Sequence, residues 1–231
     1  MDVIYKLEKV SKVYNEYNIA LDNVDLKIKR GQIIVVLGPS GSGKSTLLNI
    51  LSGLDKPTKG KVFYNEKQID NLDEEKMAEY RYQDLGFIFQ SYNLMSSLTA
   101  KENIELGKIK QDNISLQEVI KKVDLEKHQD KYPYQLSGGQ MQRVAIARSI
   151  IKKPKVIFCD EPTGALDEKI GKIILKELQR INQEQATTIV IVTHNPSISL
   201  MANTVIKMNS GKIVEQYENK KIISADELRW V

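Results

Sequence analysis

Ile33-Ile34-Val35-Val36-Leu37-Gly38-Pro39-Ser40-Gly41-Ser42-Gly43-Lys44-Ser45-Thr46-Leu47-Leu48 decides the fold. The apolar run Ile33–Leu37 is what a strand buried on both faces requires. A glycine loop follows. Leu47, Leu48, Ile50, Leu51 and Leu54 then keep helical spacing, with Gly53 as the terminator. Strand, glycine loop and helix form the context in which Gly38–Ser45 carries a chemical meaning. Its glycines let backbone N–H groups turn inward toward phosphate oxygens, and the helix start adds its positive end. Lys44 is expected to reach the β- and γ-phosphates, and the Ser45 hydroxyl to bind Mg²⁺. The motif implies nucleotide binding without separating kinases, GTPases and ATPases.

Outward from this stretch, apolar segments alternate with helical ones, which predicts an α/β fold with a mainly parallel sheet. Residues 3–9 and 20–28 read as strands. In the second, Val24, Leu26 and Ile28 alternate with Asp25 and Lys27, the pattern of a half-buried antiparallel strand. Gly60–Tyr64 and Leu85–Phe89 read as short strands around a polar helix near 73–82. From about 91 to 150 no strand signal appears. Thr99-Ala100-Lys101-Glu102 and Ser115-Leu116-Gln117-Glu118 fit the capping box, and Leu116, Val119, Ile120 and Val123 form one stripe. Val156–Cys159 and Thr188–Val192 read as further buried strands. A helix over about 169–182 puts Ile170, Ile173, Ile174, Leu178 and Ile181 on one face. Val205–Met208 and Lys212–Glu215 suggest a closing hairpin, and 216–231 give no reading. The whole chain, 1–231, reads as one domain. A P-loop NTPase core with an N-terminal antiparallel β-subdomain spans 1–90 and 151–231, and a helical subdomain is inserted at 91–150.

Composition excludes several classes. The 231 residues carry 34 Lys+Arg against 30 Asp+Glu, a charge of +4 too small and too evenly spread to argue for nucleic acid. Lys152-Lys153 and Lys220-Lys221 read as solvated faces, and so does His128 in its charged stretch. The one cysteine, Cys159, allows neither an intrachain disulfide nor a cysteine-based zinc cluster, and is expected to serve packing alone. No run approaches the roughly 18 apolar residues of a membrane span. The N-terminus lacks a signal-peptide pattern, so a cytoplasmic setting is expected.

Two carboxylates close the strand Val156-Ile157-Phe158-Cys159-Asp160-Glu161. Successive side chains point to opposite sides, so the pair can serve two tasks. Asp160 suits the metal, and Glu161 suits the orientation or deprotonation of an attacking water. His194 follows the second buried strand, where open α/β sheets place their ligands, within reach of a γ-phosphate or that water.

Leu136-Ser137-Gly138-Gly139-Gln140 resembles the signature motif of ATP-binding cassette (ABC) ATPases. Physically it is a second helix N-terminus, with Ser137 as cap and glycines allowing close approach. The resemblance covers about residues 3–215. It implies ATP as the nucleotide and two cassettes dimerised head to tail, each ATP lying between one phosphate loop and the partner's signature. Gly38–Thr46 corresponds to the phosphate loop. Gln90 resembles the glutamine that contacts Mg²⁺ or water and links to the membrane partner. Ser137, Gly138, Gly139 and Gln140 would contact the γ-phosphate of the opposite site. Asp160 resembles the metal-linked aspartate, Glu161 the catalytic base, Ala165-Leu166-Asp167 the dimer-contact loop and His194 the switch histidine. Tyr14 resembles the aromatic that stacks on adenine; read alone it is equally a packed surface ring, and Tyr17 competes for the role.

Asp160–Asp167 and Gly86–Leu94 are similar to the macrolide-exporter, lipoprotein-release and antimicrobial-peptide-resistance branch. That implies a separate integral membrane permease, with this chain peripheral at the cytoplasmic face. Tyr92, Leu94, Met95 and Leu98 are candidates for its docking surface or for a local core. Leu106–Tyr134 runs short of the branch pattern, which bears on permease identity. An importer ATPase is the alternative. A soluble cassette acting on DNA or ribosomes is disfavoured, since too few positions separate Gln90 from Leu136 for a coiled-coil arm.

Overall fold

The structure is a computed structural model describing residues 2–15, 18–109, 115–164 and 166–229. In chain order its strands are β1 (Val3–Asn15), β2 (Asn18–Lys29), β3 (Ile33–Leu37), β4 (Lys59–Tyr64), β5 (Lys67–Gln68), β6 (Leu85–Phe89), β7 (Val156–Asp160), β8 (Thr188–Thr193), β9 (Thr204–Asn209) and β10 (Lys212–Glu218). The helices are α1 (Lys44–Leu51), α2 (Glu74–Asp84), α3 (Ala100–Glu105), α4 (Leu116–Lys122), α5 (Gly138–Ile150) and α6 (Glu168–Gln185).

A six-stranded sheet in the order β10-β9-β3-β8-β7-β6 is parallel from β9 to β6, and β10 runs antiparallel at its edge. All five residues of β3 are buried because the sheet is covered on both faces. Ile34 and Val36 join Phe158, Val190, Leu47 and Leu48 in one apolar layer, beneath the antiparallel sheet β2-β1-β4-β5. Ile33 and Val35 face the other way, into a layer with Ile157, Ile191, Val144 and Ile174. The period-two alternation of a strand thus reads as a continuous apolar run when both sides are core. Cys159 is fully buried in the second layer, and burial pushes its thiol well above the usual range.

The segment between β6 and β7 is helical, with no strand among the described residues. At Thr99 the full capping box forms: Thr99 Oγ1 accepts from the Glu102 N–H, and Glu102 Oε2 accepts from the Thr99 N–H at 2.7 Å. Ser115 caps α4 by accepting from the Glu118 N–H, one half of the expected box. Of the four apolar residues at 92–98, Leu94 packs against the core, whereas Met95 is 52% exposed.

Three expectations are corrected, and the C-terminal stretch, which gave no reading, takes shape. Ile173 is 45% exposed while Ile174 beside it is 1% exposed, since α6 turns a narrower stripe to the sheet than its isoleucines suggest. Leu54 lies past the end of α1 and is exposed. The Lys152 ammonium is not solvated: it donates to the carbonyls of Arg81 and Tyr82 at the end of α2 and sits over the Tyr82 ring, and burial lowers its pKa to about 8. The C-terminal stretch does have structure. Ala225–Glu227 makes one 3₁₀ turn, pinned to α6 where Gln179 donates to the Ile223 carbonyl and accepts from the Ala225 N–H.

The contrast within α6 is testable. Ile174→Ala should cost about 3 kcal/mol of stability by denaturant unfolding, and Ile173→Ala less than about 1 kcal/mol. Equal costs would contradict the burial assigned to this helix.

Candidate active site

The parallel register brings the loops together. Leu37 lies opposite Thr193, Val192 opposite Asp160, and Phe89 opposite Asp160. The turns leaving β3, β6, β7 and β8 therefore open at one edge, where open α/β sheets bind their ligands.

The loop after β3 enters α1 through Gly43, which has φ +96° and no room for a side chain: a Cβ there would lie 2.3 Å from the Ala20 carbonyl oxygen. Because Gly43 is the N-cap and offers no side chain, the first N–H groups of α1 are left for another acceptor. The Lys44 side chain folds back into the loop and donates to the carbonyls of Gly38 at 2.8 Å and Pro39 at 2.9 Å. The next residue, Ser45, points its hydroxyl at Asp160 Oδ1, 3.3 Å away. Burial raises the Asp160 carboxyl above the usual range and the Glu161 charge adds to this, while the Ser45 hydrogen bond and the Lys44 charge oppose it.

Glu161 sits just past β7 with φ +48°, a conformation that costs a non-glycine residue free energy and persists where its surroundings fix it. Both carboxylate oxygens are held. The Thr193 hydroxyl donates to Oε2 at 3.0 Å, and the His194 Nδ1–H donates to Oε1 at 2.8 Å. The His194 ring is otherwise largely open, its side chain 71% exposed. Gln90 closes the far side. Gly164 abuts it: a Cβ there would lie 3.1 Å from Gln90 Nε2 and 3.4 Å from the Glu161 Cβ.

Ser40–Thr46, Gln90, Asp160, Glu161 and His194 line one cavity of about 830 Å³, and Tyr14 stands at its mouth. The Tyr14 hydroxyl donates to Asp55 Oδ2 at 2.9 Å. Lys12 pairs with the other Asp55 oxygen at 2.5 Å and lies 4.9 Å from the centre of the Tyr14 ring. The ring is thus braced from its protein side, and partial burial together with Asp55 raises its hydroxyl pKa. Tyr17 and Ala165 lie outside the described residues.

The signature residues are elsewhere and do not line this cavity. Ser137 caps α5 with a reciprocal box: its Oγ accepts from the Gln140 N–H, and Gln140 Oε1 accepts from the Ser137 N–H. His128 is corrected from solvated to half-buried, its Nε2 3.1 Å from the Gln140 amide nitrogen. Gly139 allows α5 to meet α6, since a Cβ would lie 2.6 Å from Ile170 Cγ2. Asp167 caps α6, accepting from the Ile170 N–H at 2.9 Å.

The donor set near Ser45 can be tested against Mg²⁺. Among the described residues no group of three or more His, Cys, Asp or Glu side chains could hold a metal. One hydroxyl and one carboxylate meet beside a phosphate-binding loop, with the Gln90 amide on the same cavity. That set fits Mg²⁺, which keeps several waters and takes one or two carboxylates plus substrate phosphates.

Sequence reasoning missed Thr193, Lys12 and Asp55. A polar residue closing an otherwise apolar β8 was the signal for Thr193; the other two act only through tertiary contact with Tyr14.

Comparison with known proteins follows the same lines. The pattern of the family described as ABC transporter matches residues 21–164. A putative ABC transporter ATP-binding protein of Mycoplasma pneumoniae is 43% identical over 218 residues, 93% of this chain; the chain spans 47% of that relative's length. An uncharacterized ABC transporter ATP-binding protein of Methanocaldococcus jannaschii is 43% identical over 90% of this chain and 96% of its own. The macrolide export ATP-binding/permease protein of Campylobacter jejuni is 41% identical over 93% of this chain and 34% of its own. The structure is similar to that of a Methanocaldococcus jannaschii ATP-binding cassette, a dimer in a post-hydrolysis state bound to ADP and Pi. The TM-score is 0.86 and identity 39%, over 93% of this chain and 98% of the other.

The glycine constraint yields a direct test. Gly43→Ala combines a left-handed backbone with a contact on the Ala20 carbonyl and should cost about 2 kcal/mol or more in denaturant unfolding. A cost below about 0.5 kcal/mol would mean that the loop is free to re-form around the added methyl.

Proposed function

This chain belongs to the ABC transporter family of ATP-binding proteins, and on that premise we propose that it is an ATP-hydrolysing subunit working as a head-to-tail pair. One observation carries the reading: on the cavity formed by the phosphate loop, the strained Glu161 has both carboxylate oxygens held, beside the Ser45–Asp160 pair. A carboxylate so fixed is suited to accept a proton from a water aimed at a bound γ-phosphate.

The chain's residues divide the work. Main-chain N–H groups of the Gly38–Thr46 loop after Pro39, which has none, and the α1 N-terminus bind the phosphate oxygens, and Lys44 exchanges its loop carbonyls for them. Tyr14 offers a ring face to the base, backed by Lys12 and Asp55. Ser45, Asp160 and Gln90 would hold magnesium, which when bound neutralises charge on the phosphates. Glu161 takes the proton of the attacking water at its carboxylate. His194 keeps that carboxylate oriented through Nδ1, on the lining of the same cavity.

The signature supports the paired reading. Ser137, Gly138, Gly139, Gln140 and Asp167 lie apart from the cavity of their own chain. A second copy turned head to tail would bring the N-terminal end of its α5, a ready anion site, over the first copy's phosphates. The dimeric cassette that the structure resembles supports this arrangement. We read the chain as one domain, 1–231, peripheral at the cytoplasmic face of a membrane through a separate permease. No helix among the described residues is long and apolar enough to cross a membrane. Similarity to the macrolide export protein favours an exporter or mechanotransmission partner over an importer.

Glu161→Gln should bind ATP, form a stable ATP-dependent dimer on size exclusion, and turn over about a hundredfold or more slowly. Wild-type turnover would remove Glu161 as the base. Mixing a Lys44→Ala chain with a Ser137→Arg chain should restore one composite site, giving ATPase activity that neither chain has alone. Mixed dimers without recovered phosphate release would rule out the shared site.

A further inference from the structure

Tyr92 and Asn93, two and three residues beyond Gln90, are consecutive non-glycine residues with φ of 60° and 47°. A left-handed pair of this kind is sterically costly and needs something to hold it. The holder is Arg148, ten positions into α5. Its guanidinium donates to the Tyr92 carbonyl at 2.9 Å and to the Asn93 carbonyl at 2.6 Å. Burial lowers the Arg148 pKa from the usual value. A half-buried guanidinium satisfied by two carbonyls of one loop is committed to that loop.

A second contact joins the same loop to the other end of α5. The Tyr92 ring lies against Gly138, where a Cβ would meet its hydroxyl at 2.9 Å. At the far end Gly107 packs against the Arg148 backbone, since a Cβ there would lie 2.0 Å from the Arg148 carbonyl oxygen. The loop leaving Gln90 therefore grips the signature helix at its first residue and again about 15 Å along its axis.

We propose that Arg148 is a positioning residue whose forked contact with Tyr92 and Asn93 makes Gln90 and the Ser137–Gln140 turn move as one piece. Gln90 faces the chain's own nucleotide and the turn faces the partner's, so a displacement at one site is passed to the other through Arg148. The inference rests on the proposed ATP contacts of Gln90 and the signature. Lysine cannot reproduce it, because a single ammonium on a flexible stem lacks the planar fork that spans two carbonyls.

The test uses Arg148→Lys and Arg148→Met, each alone and combined with Glu161→Gln. Binding of a fluorescent ATP analogue to the single chain should stay within twofold, because the phosphate loop and Tyr14 are untouched. ATP-driven dimerisation of the combined variants should need at least tenfold more ATP, and kcat of the single variants should fall about tenfold with KM within twofold. Amide exchange should quicken at residues 91–94 and stay unchanged in the interior of α5 and in β3. Unchanged dimerisation and exchange would overturn the proposal, and so would faster exchange throughout α5 and the sheet, which marks a merely structural role. If Arg148→Met does not fold, Arg148→Lys decides by the same measures. If Glu161→Gln itself fails to dimerise with ATP, the ATP reading of the signature falls, and exchange at 91–94 still judges the link between Arg148 and the loop.

Discussion

Everything at the candidate site depends on the parallel register of β3, β8 and β7. Leu37 opposite Thr193 and Val192 opposite Asp160 put the phosphate loop, the acidic pair and His194 at one sheet edge. A slip of one residue would turn every side chain of a strand to the opposite face. It would exchange Asp160 for Cys159 beside Ser45 and expose half of an apolar layer. Neither layer tolerates this, because Ile33 and Val35 are core on one side and Ile34 and Val36 on the other. Burial on both faces thus fixes positions that chemistry uses only at the strand ends.

That rigidity is what lets the edge carry strain. Glu161, Tyr92 and Asn93 hold left-handed backbone without being glycine, and each has identifiable partners that fix it. The Glu161 side chain is tied to two residues of the neighbouring strand end, Thr193 and His194, so its orientation follows from the sheet. The loop after Gln90 is tied to α5. Strain of this kind is stable only where the surrounding structure over-determines it.

Much of this was legible in the sequence, for physical reasons. A strand buried on both sides needs an apolar residue at every position, so β3, β7 and β8 are visible as runs. The capping box at Thr99 and the caps at Ser115 and Ser137 are local and can be read from a few residues. What escaped depends on distant partners. Ile173 obeys the helical period as well as Ile174 does, and only the width of the face that α6 turns to the sheet separates them. Lys152 looks like a surface charge until the carbonyls ending α2 are brought against it. Asp55 carries no pattern of its own; it matters because Tyr14 and Lys12, far away in sequence, converge on it.

The signature glycines illustrate how one motif can serve two masters. Gly138 is bare where Tyr92 presses on it, and Gly139 where α6 passes at Ile170, so both have reasons within the chain to lack a side chain. Enlarging either would disturb the helix's own seat before any partner arrived. Loss of activity in such a variant would therefore say little about a nucleotide contact across a dimer. Ser137 is different. Its hydroxyl caps α5 from an exposed loop, and its backbone N–H is taken by Gln140. The residue is exposed, so a larger side chain there meets solvent rather than a packed neighbour. Replacing Ser137 costs its helix a cap, about 1 kcal/mol, and no packing contact, so a loss of activity well beyond that cost would report contact with a partner's nucleotide.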